Sequence, residues 1–141
     1  MADTIFSKII RGEIPCHRVY NDDLVLAFMD INPLSRGHVL VIPKEPVARM
    51  EDLSEESAAA LGRVLPRITK AVLKVSEAPA CNLLINNGEQ AGQEVPHVHL
   101  HVIPRLPSDP ASGGGLSKRW DPVPIDADEL ADLARHIARL L

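Results

Sequence analysis

The stretch "HVHLHVIPR", His97 to Arg105, alternates polar and apolar residues, the period-two signature of a strand with one face in a core. Val98, Leu100 and Val102 supply the apolar face. His97, His99 and His101 supply the other, with imidazoles expected ~6.5–7 Å apart along the strand. Upstream of it, "GEQAGQEVP" (88–96) reads as a glycine-containing loop and "CNLLINN" (81–87) as a further strand. Earlier still, "GHVLVIPK" (37–44) is an apolar strand closed by Pro43, and "HRVYNDDLVLAFMDI" (17–31) reads as two extended pieces around the Asn21-Asp22-Asp23 turn. The pattern predicts an antiparallel meander followed by a second strand pair.

Helical spacing fills the gaps. Ile5, Phe6, Ile9 and Ile10 follow Asp3 or Thr4 as a cap and predict a short helix. Ser54, with Glu55 and Glu56 behind it, opens a longer one whose apolar stripe is Leu61, Val64, Leu65, Ile68, Val72 and Val75. Pro66 lies in that stripe's span and is expected to kink or divide the helix, since it lacks an N–H and crowds the preceding turn. After Arg105, "LPSDPASGGGLSKRWDPVP" reads as an irregular segment, with Trp120 expected to pack back on its own domain or to reach a partner chain. From Asp126 an amphipathic helix is expected, with Leu130, Leu133, Ile137, Leu140 and Leu141 on one side and His136 on the surface. Residues 1–105 thus form the core and 106–141 an extension of the same domain.

With 141 residues, 45% hydrophobic and 24% charged, the chain fits one globular domain. No stretch approaches the ~20 apolar residues of a membrane span, and "MADTIFSKII" lacks a basic segment leading into an apolar one, so a cytoplasmic protein is expected. Cys16 and Cys81 match no metal or redox spacing and read as buried or idle thiols. A net charge of −4 argues against a nucleic-acid footprint but leaves room for a small anionic ligand.

Three chemistries suit the histidines: a polar solvent face, a metal site, or catalysis at phosphorus. Imidazole is a common zinc ligand, but a closed site needs further Cys, His or carboxylate ligands, which the sequence does not cluster. As a nucleophile, a neutral imidazole attacks phosphorus while its neighbours donate hydrogen bonds to the phosphate oxygens. The loop 88–96 favours this reading, because its glycines can aim successive backbone N–H groups at an anion.

"HVHLHVI" resembles the H-x-H-x-H motif of the histidine triad family of nucleotidyl hydrolases and transferases. "TIFSKIIRGEIP", "FMDINPLSRGHVLVIPK" and "NNGEQAGQEVPHVHLHVIPR" are similar to that family's segments in the same order, over residues 4 to 105. The resemblance implies an α+β fold: a five-stranded antiparallel sheet with one long and one short helix, here followed by a C-terminal helix, in a two-fold homodimer. It implies a nucleophilic His99, positioned by the backbone carbonyl of His97, with His101 and His38 on the phosphate. It further places Asp30 on the ribose hydroxyls, Ile5, Phe6, Ile9, Phe28, Ile31 and Leu40 around the base, and Asn86, Gly92, Gln93, Glu94 and Val95 on the phosphate side. Thr4 and Ser7 stand where some members carry two zinc-binding cysteines, so no metal and no cofactor are expected. His101, where transferase branches carry Gln, points to a hydrolase. The implied substrate is a purine nucleoside 5'-phosphoramidate. A dinucleoside polyphosphate hydrolase, or a nucleotide-binding regulatory module of slow turnover, is the alternative. Glu94 departs from the family's Ser or Thr, since an ionised carboxylate cannot donate to phosphate.

Overall fold

The computed structural model describes residues 3–107 and 121–141. Thr4 opens α1 (Ile5–Ile10) through a reciprocal capping box with Ser7, and a tight turn leads to β1 (Arg18–Asn21). Asp22 makes the next turn by accepting both the Leu24 and Val25 N–H groups through Oδ1, each at 2.8 Å, and β2 (Val25–Met29) follows. After β3 (Val39–Pro43) come α2 (Glu55–Ser76), β4 (Ala80–Leu84), β5 (Leu100–Arg105) and α3 (Ala127–Arg139). The five strands form one antiparallel sheet in the order β1-β2-β3-β5-β4, the expected architecture.

The sheet is covered on both faces, which explains why β2 and β3 are apolar at every position. Val25, Ala27, Met29, Val39, Val41 and Val102 point to one side, where they pack against Ala60, Leu61, Val64, Ile68 and Val72 of α2 and Leu130, Ala134 and Ile137 of α3. Leu26, Phe28, Leu40 and Ile42 point to the other and meet Phe6 and Ile9 of α1. Because Leu40 lies opposite His101 in the β3–β5 register, His101 shares that second face. The α1 face is therefore the site face, and α2 and α3 form the supporting face.

Three expectations need correction. The strand carrying the histidines begins at Leu100, not His97. The backbone at 97–99 is drawn off the ladder instead: Val98 N–H donates to the Val47 carbonyl at 2.9 Å, and His97 N–H to Val95 at 2.8 Å. Pro66 does not divide α2, which runs unbroken through it. Pro66 and Gly62, whose carbonyl Pro66 has no N–H to serve, both face solvent, where that carbonyl stays accessible, while the buried stripe holds the helix on the sheet. On α3, Ala134 takes the buried place expected for Leu140, which is 46% exposed at the C-cap. Trp120 lies outside the described residues.

Candidate functional site

Hydrogen bonds fix which ring nitrogen of each central histidine carries a proton. The Leu34 N–H donates to His38 Nδ1 at 3.0 Å, so the neutral His38 ring must hold its proton on Nε2. That Nε2–H donates to His101 Nδ1, also at 3.0 Å, which places the His101 proton on Nε2. His99 donates Nδ1–H to the His97 carbonyl at 2.7 Å, leaving a lone pair on its Nε2. His97 in turn donates Nε2–H to the Pro43 carbonyl at 2.8 Å. One ring is thus set as an electron-pair donor and its neighbour as a hydrogen-bond donor, with ring centroids 5.0 Å apart. Phe6 meets His99 edge-on at 5.0 Å and fixes the ring's tilt.

All four rings are buried, and burial is the leading cause that holds each below the ordinary value of 6.5. His101 is pulled down to about 3, with the neighbouring His99 acting in the same direction. For His99, the bond to the His97 carbonyl opposes the desolvation. Neutral rings are what the tautomer chain requires, since a protonated His38 could not accept from Leu34.

A cavity of about 540 Å³ opens against His99 and His101. Of the residues expected to bind a nucleotide, Ile5, Phe6, Ile9, Phe28, Asp30, Ile31, Leu40, Asn86, Gly92, Glu94 and Val95 line it. Its apolar end lies by α1, with Ile5 and Ile31 forming an exposed rim. Ile14, Pro15, Cys16, Met29, Asn32, Leu84 and Ala91 complete the wall. Met29 and Asn32 could have been anticipated as neighbours of Asp30, whereas nothing in the local pattern marks Cys16, Leu84 or Ala91. Cys16 is half-buried there, and burial pushes its thiol up despite nearby Arg18.

Two expected residues take other places. His38 is fully buried and does not line the cavity itself; its Nε2 faces two residues that do, His101 Nδ1 at 3.0 Å and Asp30 Oδ2 at 3.5 Å. His97 is where it was expected, with its carbonyl accepting from His99 Nδ1. Gln93 turns away and staples the loop: its Oε1 accepts from Gly88 N–H at 2.7 Å, and its Nε2 donates to the Ala48 and Val95 carbonyls. Part of the loop's donor set is used within the loop. The N–H groups of Ala91 and Gln93 bond the Gly88 carbonyl and that of Gly92 bonds Glu89, so with Gly88 four of its donors serve the loop itself. Gly88 and Gly92 are needed for their positive φ of 100° and 96°.

Asp30 Oδ1 accepts from Asn32 N–H at 2.8 Å, and its Oδ2 lies 3.5 Å from His38 Nε2. Burial raises this carboxyl, the Asn32 bond opposes the rise, and the charge of Glu94 adds to it. Glu94 also acts electrostatically on His99. Glu94 is therefore at the mouth of the cavity and within the field of the reacting groups. Asp30, His38 and His101 bring potential metal-ligand atoms within 4.8 Å of one another. The Leu34 bond keeps a proton on His38 Nε2, however, so this set lacks the lone pair a metal would need there.

The HIT domain model matches residues 11–108. An adenylylsulfatase, HINT3 of Arabidopsis thaliana, is 45% identical over 76% of the chain, which spans about half (54%) of that protein's length. The adenosine 5'-monophosphoramidase hnt1 of Schizosaccharomyces pombe is 42% identical over 95% of both chains. Among solved structures, a Hit-like protein from Bartonella henselae superposes with a TM-score of 0.84 at 34% identity, covering 100% of this chain and 99% of its own.

Proposed function

Because the chain belongs to the HIT family, we propose that it is a nucleotidyl hydrolase that cleaves purine nucleoside 5'-phosphoramidates through a covalent intermediate on His99. The observation that carries this reading is the His99 Nδ1–H bond to the His97 carbonyl, which aims an unprotonated Nε2 at the cavity. The nucleoside occupies the apolar end, with its ribose hydroxyls on Asp30. His99 Nε2 attacks the α-phosphorus, and the P–N bond to the amine breaks as the nitrogen leaves with the bond pair and a proton from solvent. The His101 Nε2–H stabilises charge on the phosphate oxygens. Water then attacks phosphorus, the P–N bond to His99 breaks with its pair returning to Nε2, and nucleoside monophosphate and a proton are released. Glu94 favours the phosphoramidate over a dinucleoside polyphosphate, which would bring more negative charge past the same carboxylate.

A homodimer fits this reading, since β1 and β4 end the sheet and Leu83 on β4 is half exposed. Sedimentation at micromolar concentration tests it. Cytoplasmic action on free nucleotides, with no nucleic acid or membrane as partner, accords with the net charge of −4, and no helix among the described residues is long and apolar enough to cross a membrane. The packing of α3 on the same core as α2 supports one domain, with residues 106–141 as its extension.

His99→Ala should lower turnover by more than about 10³-fold while leaving nucleoside monophosphate binding in place, because the covalent step is lost and the pocket is kept. His136→Ala, on the exposed face of α3, should change neither. Trapping a single nucleotidyl group on the wild-type protein and mapping it by mass spectrometry to His99 completes the test. Turnover retained by the His99 variant, or an adduct on another residue, overturns the assignment.

A further inference from the structure

The turn 33–37, which joins Asp30 to His38, is held by the C-terminal part of the chain, and one of its peptide groups carries that hold to the site. Val123 N–H donates to the Pro33 carbonyl at 2.8 Å. The N–H of Leu34, which belongs to the same planar peptide unit as that carbonyl, donates to His38 Nδ1 at 3.0 Å. The orientation of this plane is therefore gripped at its oxygen by Val123 and read at its nitrogen by His38. A second tether lies beside it, the ion pair between Arg36 and Glu129 in the first turn of α3. The helix is anchored independently, by Leu130, Ala134 and Ile137 in the core.

We propose that residues 121–129 act as a positioning strap for the reacting histidines: by fixing the Pro33–Leu34 peptide, Val123 sets the tautomer of His38 and, through it, makes His101 a hydrogen-bond donor. The inference rests on the reading of His99 and His101 as the site of nucleotidyl transfer. Without the strap, the peptide tilts and Leu34 N–H no longer claims His38 Nδ1. His38 can then hold its proton on Nδ1 and accept at Nε2 from His101 Nδ1–H. His101 in that state presents a lone pair on Nε2, which repels phosphate oxygen instead of binding it. No atom of the strap touches the cavity, so Val123 and Glu129 act only through His38.

The test uses the full chain with ¹⁵N-labelled histidine rings. In the wild type, the His38 Nδ1 signal should lie in the lone-pair range and the His101 Nε2 signal in the proton-bearing range. Val123→Pro removes the N–H and should move both signals towards a tautomer mixture. It should also lower kcat by between about two- and tenfold, the size of one backbone hydrogen bond, with KM unchanged. Val123→Ala keeps the N–H and should match the wild type. Ile137→Val loosens α3 without touching the turn, and should lower stability while leaving kcat and the ring signals in place. An amide-to-ester replacement at position 123, installed by ligating the C-terminal segment, deletes only the N–H and decides the matter should Val123→Pro fail to fold. Unchanged ring signals in both N–H-deleted proteins, or equal losses in Val123→Ala or Ile137→Val, overturn the strap. A wild type that turns over no nucleotide sinks the catalytic reading alone, because the ring signals still report on the strap.

Discussion

Acid should destabilise this protein well before its carboxylates protonate, because its central histidines fold in the neutral form. A group whose folded pKa is depressed is protonated first in the unfolded chain, so its contribution is complete above the unfolded value and is lost as pH falls towards the folded one. For His101 the window runs from the ordinary 6.5 down to about 3. Between pH 6.5 and 5 the unfolded ring gains its proton and the folded ring does not, which by pH 5 removes about 2 kcal/mol, at ~1.4 kcal/mol per pH unit along the steep part. His38 moves in the same direction, held well below 6.5 by burial, and so do His97 and His99. The loss is a large share of a domain stability of roughly 5–15 kcal/mol. Asp30, raised from 3.8 by burial, has the opposite sign and flattens the acid end of the curve. Urea unfolding at pH 7.5, 6.5, 5.5 and 5.0 measures the effect. His101→Asn, which cannot titrate, should reduce the slope near pH 5 by ~1.4 kcal/mol per unit. Equal stability at pH 6.5 and 5, or an unaltered slope in the variant, would refute the claim that the rings fold neutral.

Glu94→Ser should raise kcat/KM for a dinucleoside polyphosphate relative to a phosphoramidate by about fivefold at low salt. Two unit charges ~4 Å apart repel by about 4 kcal/mol at an effective dielectric of ~20, and a quarter of that suffices; a salt-independent, unchanged ratio would put Glu94 outside the phosphate's field. Pro66→Ala should raise the midpoint of thermal unfolding, since proline costs up to about 3 kcal/mol in a helix interior and this one faces solvent; a fall in midpoint would show that the ring packs on something. Activity on a phosphoramidate should survive prolonged chelation, because imidazole attack on phosphorus needs no Lewis acid. Activity lost with the metal and regained with zinc would reverse that expectation.

The parts of this molecule that were legible from sequence are those written in local periodicity. The β2, β3 and β5 strands, the caps at Thr4 and Ser54 and the stripe of α2 all follow from spacing and side-chain chemistry. His99 and His101 were placed on one face for the same reason, whereas the nucleotide-binding positions, eleven of which line one cavity, came from the family resemblance and not from spacing. What escaped was decided by partners distant in sequence. His97 and Val98 leave the ladder because Val47 takes the Val98 N–H. Gln93 turns from the cavity because its side chain reaches across to the Ala48 carbonyl. His38 is turned from the cavity because its Nε2 is engaged by His101 of β5. Pro66 was misjudged for a simpler reason: a solvent-facing proline disturbs a helix far less than a buried one, and facing is a tertiary property.

The strand order β1-β2-β3-β5-β4 has a consequence for synthesis on the ribosome. β3 emerges with one edge satisfied by β2, but its other edge waits for a strand more than fifty residues downstream. β4 appears first and cannot take that place permanently, since β5 must slot between the two. The nascent chain therefore carries an unpaired, wholly apolar strand edge through the making of α2 and β4, a state open to association with other chains. Closure comes only when Leu100 to Arg105 inserts, and this is the strand that carries His101. The last act of sheet assembly and the first appearance of a working site are one event, so a chain stalled before that insertion holds most of the fold and none of the chemistry.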